Sequence, residues 1–110
     1  NDVVSVLRQI KQQNKRIAGY SAPAKGNILL NYFNIGPYLE FIVDKAPAKQ
    51  GLYTPGTHLL VHTPDKIERE KPDYILILCW NIADEVMNQY KKYHEKGGKF
   101  IIPIPTVRVI

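Results

Sequence analysis

A chain of 110 residues has material for one domain and one modest core, and not for two. Hydrophobic residues make up 45% and charged residues 23%, the balance of an ordinary globular protein, and no apolar run approaches the ~20 residues that a membrane span requires. The formal net charge is +5, but the bases are spread from Arg8 to Arg108 with acids interleaved, which argues against a nucleic-acid partner.

Val3, Val4, Leu7 and Ile10 recur at helical spacing, so residues 1–13 read as a leading amphipathic helix with Asp2 near its amino end. The start, Asn1, already lies inside that pattern and carries no secretory signal, so the chain is expected to be a fragment of something larger. Residues 16–20 form a short strand, and the turn from Ser21 to Asn27 places Pro23 well for a helix start. Ile28, Leu29, Tyr32 and Phe33 give that helix its buried face. Gly36-Pro37 is expected to end it, glycine as a left-handed cap and proline to forbid continuation.

Residues 39–43 make a second strand closed by Asp44, and residues 45–58 lack periodicity and read as a long loop, functional or disordered. Residues 59–61 are a brief third strand. Thr63-Pro64 opens a short helix that Pro72 stops. The run Tyr74-Ile75-Leu76-Ile77-Leu78 is apolar throughout, as suits a central parallel strand covered on both faces. Asn81 is placed to cap a last helix with Ile82, Val86, Met87, Tyr90 and Tyr93 on its apolar stripe, and Gly97-Gly98 ends it before the strand at 100–102. Strands alternating with helices predict a single α/β domain over residues 1–110. Its expected form is Rossmann-like and three-layered, with an open, mainly parallel five-stranded sheet ordered 3-2-1-4-5.

In such sheets a ligand sits beyond the carboxyl ends of the strands, where strand order reverses. Gly19-Tyr20-Ser21-Ala22-Pro23-Ala24 fits a Gly-x-Gly-x-x-Ala pattern with serine at the second glycine. Serine hinders close approach of a pyrophosphate but supplies a hydroxyl, while the helix start behind it offers free N–H groups and Lys25 adds a charge. The alternative is a tight turn with no ligand. Asp44 stands near the spacing, about 20 residues on, at which a carboxylate meets a ribose hydroxyl, or it is simply a turn carboxylate. Lys49, Tyr53 and His58 on the long loop could flank a base or sugar. Trp80 and Asn81 could wall the site, or serve only as a packed indole and a helix cap. The lone Cys79 excludes an internal disulfide, reads as a small core residue and fits a reducing, cytoplasmic compartment. His62 and His94 have no partner at metal-ligand spacing and there is no Cys-x-x-Cys, so no metal is expected. No nucleophile elbow surrounds Ser21, so no catalytic group is expected either.

Several ordered blocks carry a resemblance over nearly the whole chain. Gly19 to Asn27 with Leu30-Asn31, Val43-Asp44, Lys49 to His58, Pro72-Asp73-Tyr74, Trp80-Asn81 and Gly97 to Pro105 are similar, in that order, to the C-terminal domain of sugar C-methyltransferases. The resemblance implies a three-part enzyme. In it, a zinc-binding region and an S-adenosylmethionine domain precede this one, which helps hold a nucleotide-linked keto-sugar. Zinc and S-adenosylmethionine would be bound outside this chain, with none inside it, and its partners would be the nucleotide-sugar and the other domains. Methyl transfer would use a base in the middle domain, leaving this chain inactive alone. Ser21, Ala24, Lys25 and Asn27 would form the turn facing the ligand, Asp44, Lys49, Tyr53 and His58 its flank, and Trp80 and Asn81 its floor. The pattern departs at Ser21, where glycine is expected. Two other readings stay open: a free-standing module for NAD or a coenzyme A type ligand, and a non-catalytic scaffold.

Overall fold

The computed structural model describes residues 2–21, 29–54 and 56–110. Helix α1 (Asp2–Gln12) leads into strand β1 (Ile17–Tyr20). Residues 29–32 are helical, Gly36–Tyr38 is a single 3₁₀ turn, and β2 (Phe41–Val43) follows. After the long loop come β3 (Val61–His62), α2 (Asp65–Glu70) and β4 (Tyr74–Ile77). A 3₁₀ turn at Trp80–Ile82 then opens α3 (Ala83–Gln89) and α4 (Lys91–Glu95), before β5 (Lys99–Ile102) and β6 (Arg108–Val109).

The sheet runs β3-β2-β1-β4-β5-β6, parallel except for the last pair. The predicted α/β class and order 3-2-1-4-5 are therefore present, with a sixth strand added. Sequence reading missed β6 because Arg108–Val109 is two exposed residues with no alternation to detect. Its antiparallel pairing is anchored by reciprocal main-chain bonds between Phe100 and Ile110, both 2.9 Å.

Alternation along each central strand divides the core into two layers. Ile17, Ile42, Leu76 and Ile101 point to one side, where they meet Val3, Leu7 and Ile10 of α1 and Leu29 and Leu30. Ala18, Tyr20, Val43, Ile75, Ile77, Phe100 and Ile102 point to the other, against Ile67 of α2 and Ala83, Val86 and Tyr90 of the last helical segment. That burial on both faces explains why Tyr74 to Leu78 reads as an unbroken apolar run.

Five local expectations are corrected. The left-handed residue before the 3₁₀ turn is Asn34 (φ 52°), not Gly36. Gly36 is instead needed for space, since a Cβ there would lie 3.0 Å from the Thr57 methyl. Tyr32 is 80% exposed and Leu30 takes its place in the core. Thr63 gives its hydroxyl to the Asp65 carboxylate and caps no helical N–H. Asn81 does not cap either: it is exposed inside the 3₁₀ turn, and α3 starts two residues later without a side-chain cap. The last helical segment is also interrupted at Tyr90, although its N–H still reaches Val86 O at 3.1 Å and its carbonyl still accepts from His94 N at 3.0 Å.

Candidate functional site

Parallel pairing brings the carboxyl ends of β1, β2 and β4 side by side, and the chain leaves β1 at Ser21, β2 at Asp44 and β4 just before Cys79. After β1 the backbone turns at Ser21 with φ 72°, the left-handed region that favours glycine. Serine at the fingerprint's second glycine therefore adopts a conformation that glycine reaches more easily. Ser21 N–H is spent on Val43 O at 2.6 Å, which ties the turn to β2, and its hydroxyl faces Asp44 Oδ2 at 3.5 Å.

Asp44 is 5% exposed and holds the loop that follows it. Its Oδ1 accepts the Ala46 N–H at 2.9 Å, Lys49 Nζ stands 3.7 Å from Oδ2, and its main-chain carbonyl accepts from Gln50 Nε2 at 2.9 Å. Farther along, buried Thr54 closes the loop: its N–H donates to Leu59 O at 2.8 Å and its Oγ1 accepts from Leu59 N at 3.0 Å. Residues 45–54 are consequently tied to the sheet edge, where Gly51 and Leu52 bond to Val61.

Between these strand ends and α3 lies a cleft of about 240 Å³, walled by Tyr20, Ser21, Asp44, Lys45, Cys79 and, from α3, Glu85, Val86 and Gln89. Tyr20 Oη donates to Gln89 Oε1 at 3.4 Å. Burial pushes the Tyr20 hydroxyl and the Cys79 thiol up, so both stay protonated at neutral pH. The wall therefore offers two carboxylates, two hydroxyls, a thiol, an amide and one lysine. That set accepts from and donates to sugar-like hydroxyls better than it neutralises a phosphate. A larger groove of about 980 Å³ opens at the amino-terminal edge of β4 and β5. Ligands of open parallel sheets seat at the carboxyl edge, so the smaller cleft is the candidate.

Of the expected site residues, Ser21 and Asp44 meet in this cleft and Lys49 reaches Asp44 from behind. Ala24, Lys25 and Asn27 lie outside the described residues. Tyr53, 64% exposed, pairs with Leu60 on the loop, and His58 is exposed with φ 55°. Trp80 is half-buried against both core layers and Asn81 faces solvent, and none of these four lines the cleft. Tyr20, Lys45, Glu85 and Gln89 were missed. Glu85 and Gln89 are an i, i+4 pair on the helix behind the predicted lip, which was the available signal. Among the described residues no three His, Cys, Asp or Glu are grouped to hold a metal ion, and no helix is long and apolar enough to cross a membrane.

Residues 1–105 match the profile of the C-methyltransferase C-terminal domain. The chain belongs to that family. It is also 39% identical over 106 residues to the C-methyltransferase NovU of Streptomyces niveus, an alignment that covers 96% of this chain and 25% of that protein. The chain thus spans about a quarter of the length of the curated relative it matches. As a C-methyltransferase C-terminal domain, it carries the cleft on a sheet whose central strands are buried on both faces.

Proposed function

We propose that this domain is the substrate-holding part of an S-adenosylmethionine-dependent sugar C-methyltransferase of the cytoplasm, and that it has no activity alone. The observation that supports this reading most directly is the polar cleft at the crossover of β1 and β4, in a C-methyltransferase C-terminal domain. Asp44 and Glu85 accept hydrogen bonds from sugar or ribose hydroxyls, Gln89 and Ser21 complete the polar wall, and the segment containing Ala24, Lys25 and Asn27 receives the phosphates of a nucleotide-sugar. S-adenosylmethionine supplies the methyl group, and the base that frees the accepting sugar carbon belongs to another domain of the enzyme. No residue of this chain is assigned to hold S-adenosylmethionine or zinc.

The chain's task is to fix the sugar so that the accepting carbon faces outward from the cleft. Orientation of this kind lowers the barrier without any proton transfer by the holding domain. Titration calorimetry with a nucleoside diphosphate sugar, and separately with NAD and coenzyme A, tests the reading. Heat with the sugar nucleotide, lost in Asp44→Asn, supports it. Equal or tighter binding of NAD or coenzyme A assigns the cleft to a general nucleotide module, and silence from all three favours a scaffold. In the complete enzyme, alanine at Asp44 or Lys25 raises KM more than it lowers kcat. A pure loss of turnover overturns the division of labour.

A further inference from the structure

The groove of about 980 Å³ at the amino-terminal edge of β4 and β5 is not used by the reading above. Its floor is apolar and comes from Ile67 of α2, Pro72, and the rings of Tyr90 and Tyr93. Its rim carries Lys71, Lys91, Lys92 and Lys96, all exposed, against two acids, Glu68 and Asp73. One carboxylate oxygen of Asp73 already accepts the Arg16 N–H at 2.8 Å. None of the four lysines has an ion-pair partner among the described residues. The Tyr90 hydroxyl, beneath the same floor, is buried with no hydrogen-bond partner.

Two helices end at this groove. Lys71 closes α2 in the left-handed conformation and Lys96-Gly97 closes α4. Helix carboxyl ends carry negative partial charge, so the floor between them repels a compact phosphate seated deep. The lysines, on long exposed stems, instead present their charge outward around an apolar strip, and four positive groups against two acids on one rim repel a second copy's identical rim. We propose that this groove docks an acidic, amphipathic protein segment, its apolar side against Ile67, Pro72 and Tyr93 and its carboxylates against the four lysines. That is the helix-in-groove mode of recognition with charge complementarity setting the partner. The proposal does not rest on the methyltransferase reading and survives or fails independently of it.

The test is fluorescence anisotropy with a labelled synthetic amphipathic helix bearing glutamates on its polar face, and the same peptide with lysines in their place. The acidic peptide is expected to bind the chain, and to lose about tenfold or more in affinity on raising salt from about 50 to about 300 mM. Lys91→Glu/Lys92→Glu/Lys96→Glu is expected to weaken binding at least as much, while Arg8→Glu/Lys11→Glu on α1, which packs on the opposite face of the sheet, changes it little. Circular dichroism of each variant shows that the fold persists, and Lys91→Gln/Lys92→Gln repeats the test with smaller charge change. Equal binding of the lysine peptide overturns the proposal. So does full affinity in the triple variant, absence of binding at low salt, or competition by inorganic pyrophosphate at concentrations below the peptide's own.

Discussion

Gly98 is the position where a single methyl group is expected to do most damage. A Cβ at Gly98 would lie 2.2 to 2.6 Å from three carbons of the Tyr93 ring. That ring has little freedom to withdraw, because its hydroxyl donates to Pro72 O at 2.9 Å and its face packs on Phe100 at a centroid distance of 5.8 Å. Gly98→Ala must therefore swing Tyr93 out or strain the turn before β5. Overpacking of this kind costs about 1–3 kcal/mol, and giving up the hydroxyl's bond to Pro72 adds about 0.5–1.5 kcal/mol. The sum, about 1.5–4.5 kcal/mol, is a large share of the stability of a small domain. It corresponds to a fall in Tm of about 10–20 °C. Gly98 lies outside the positive-φ glycines, so alanine brings no backbone strain of its own. The assay is a double-mutant cycle by urea and thermal unfolding. In a Tyr93→Leu background the alanine is expected to cost less than about 1 kcal/mol. An equal cost in both backgrounds would refute the steric argument.

Ser21→Gly relieves a left-handed serine and is expected to stabilise the fold by about 1 kcal/mol, measured as a shift in urea midpoint at constant slope. A destabilised variant would mean that the serine hydroxyl outweighs the backbone strain. Asp44→Ala leaves the Ala46 N–H without its acceptor and is expected to cost about 1–3 kcal/mol, with Asp44→Asn recovering much of it because the amide oxygen still accepts. Arg16 joins Glu40 at 2.8 Å, Glu70 at 3.0 Å and the Glu70 carbonyl at 2.6 Å. Arg16→Met is expected to lose about 1 kcal/mol, less at high salt because the pairs are half-exposed. Burial, with Lys66 and Arg69 nearby, holds the His62 imidazole below its ordinary pKa. The unfolded chain then binds that proton first, so stability is full above about pH 6.5 and falls as pH drops through the depressed value. His62→Gln is expected to flatten Tm between pH 7 and pH 5, and an unchanged slope would remove His62 as the cause.

The layered fold was legible because its strands are buried on both faces, which writes near-continuous apolar runs such as Tyr74 to Leu78 into the sequence. Helix ends were less legible. Asn81 and Thr63 have the composition of caps, yet Asn81 sits exposed inside a 3₁₀ turn and the Thr63 hydroxyl goes to the Asp65 carboxylate. The Gly36 expectation failed for a related reason: its local pattern is that of a helix stop, but what it meets is Thr57 from a distant part of the chain. At the cleft, Ser21 and Asp44 could be placed because they follow directly from strand ends. Glu85 and Gln89 depend on how α3 leans over those ends, which no local pattern encodes. Tyr20 and Lys45 also follow from the strand ends, but they read only as a strand residue and a loop residue.

The bond from Ser21 N–H to Val43 O has a consequence for how such a site can change over time. The two polar groups at the mouth ride on neighbouring rails of the sheet, so their separation is inherited from strand register and not from the connecting segments. Lengthening or exchanging the stretch between Lys45 and Leu60 would reshape the entrance while leaving that spacing alone. The shape of the mouth can therefore drift through the connecting segment without disturbing the pair beneath it.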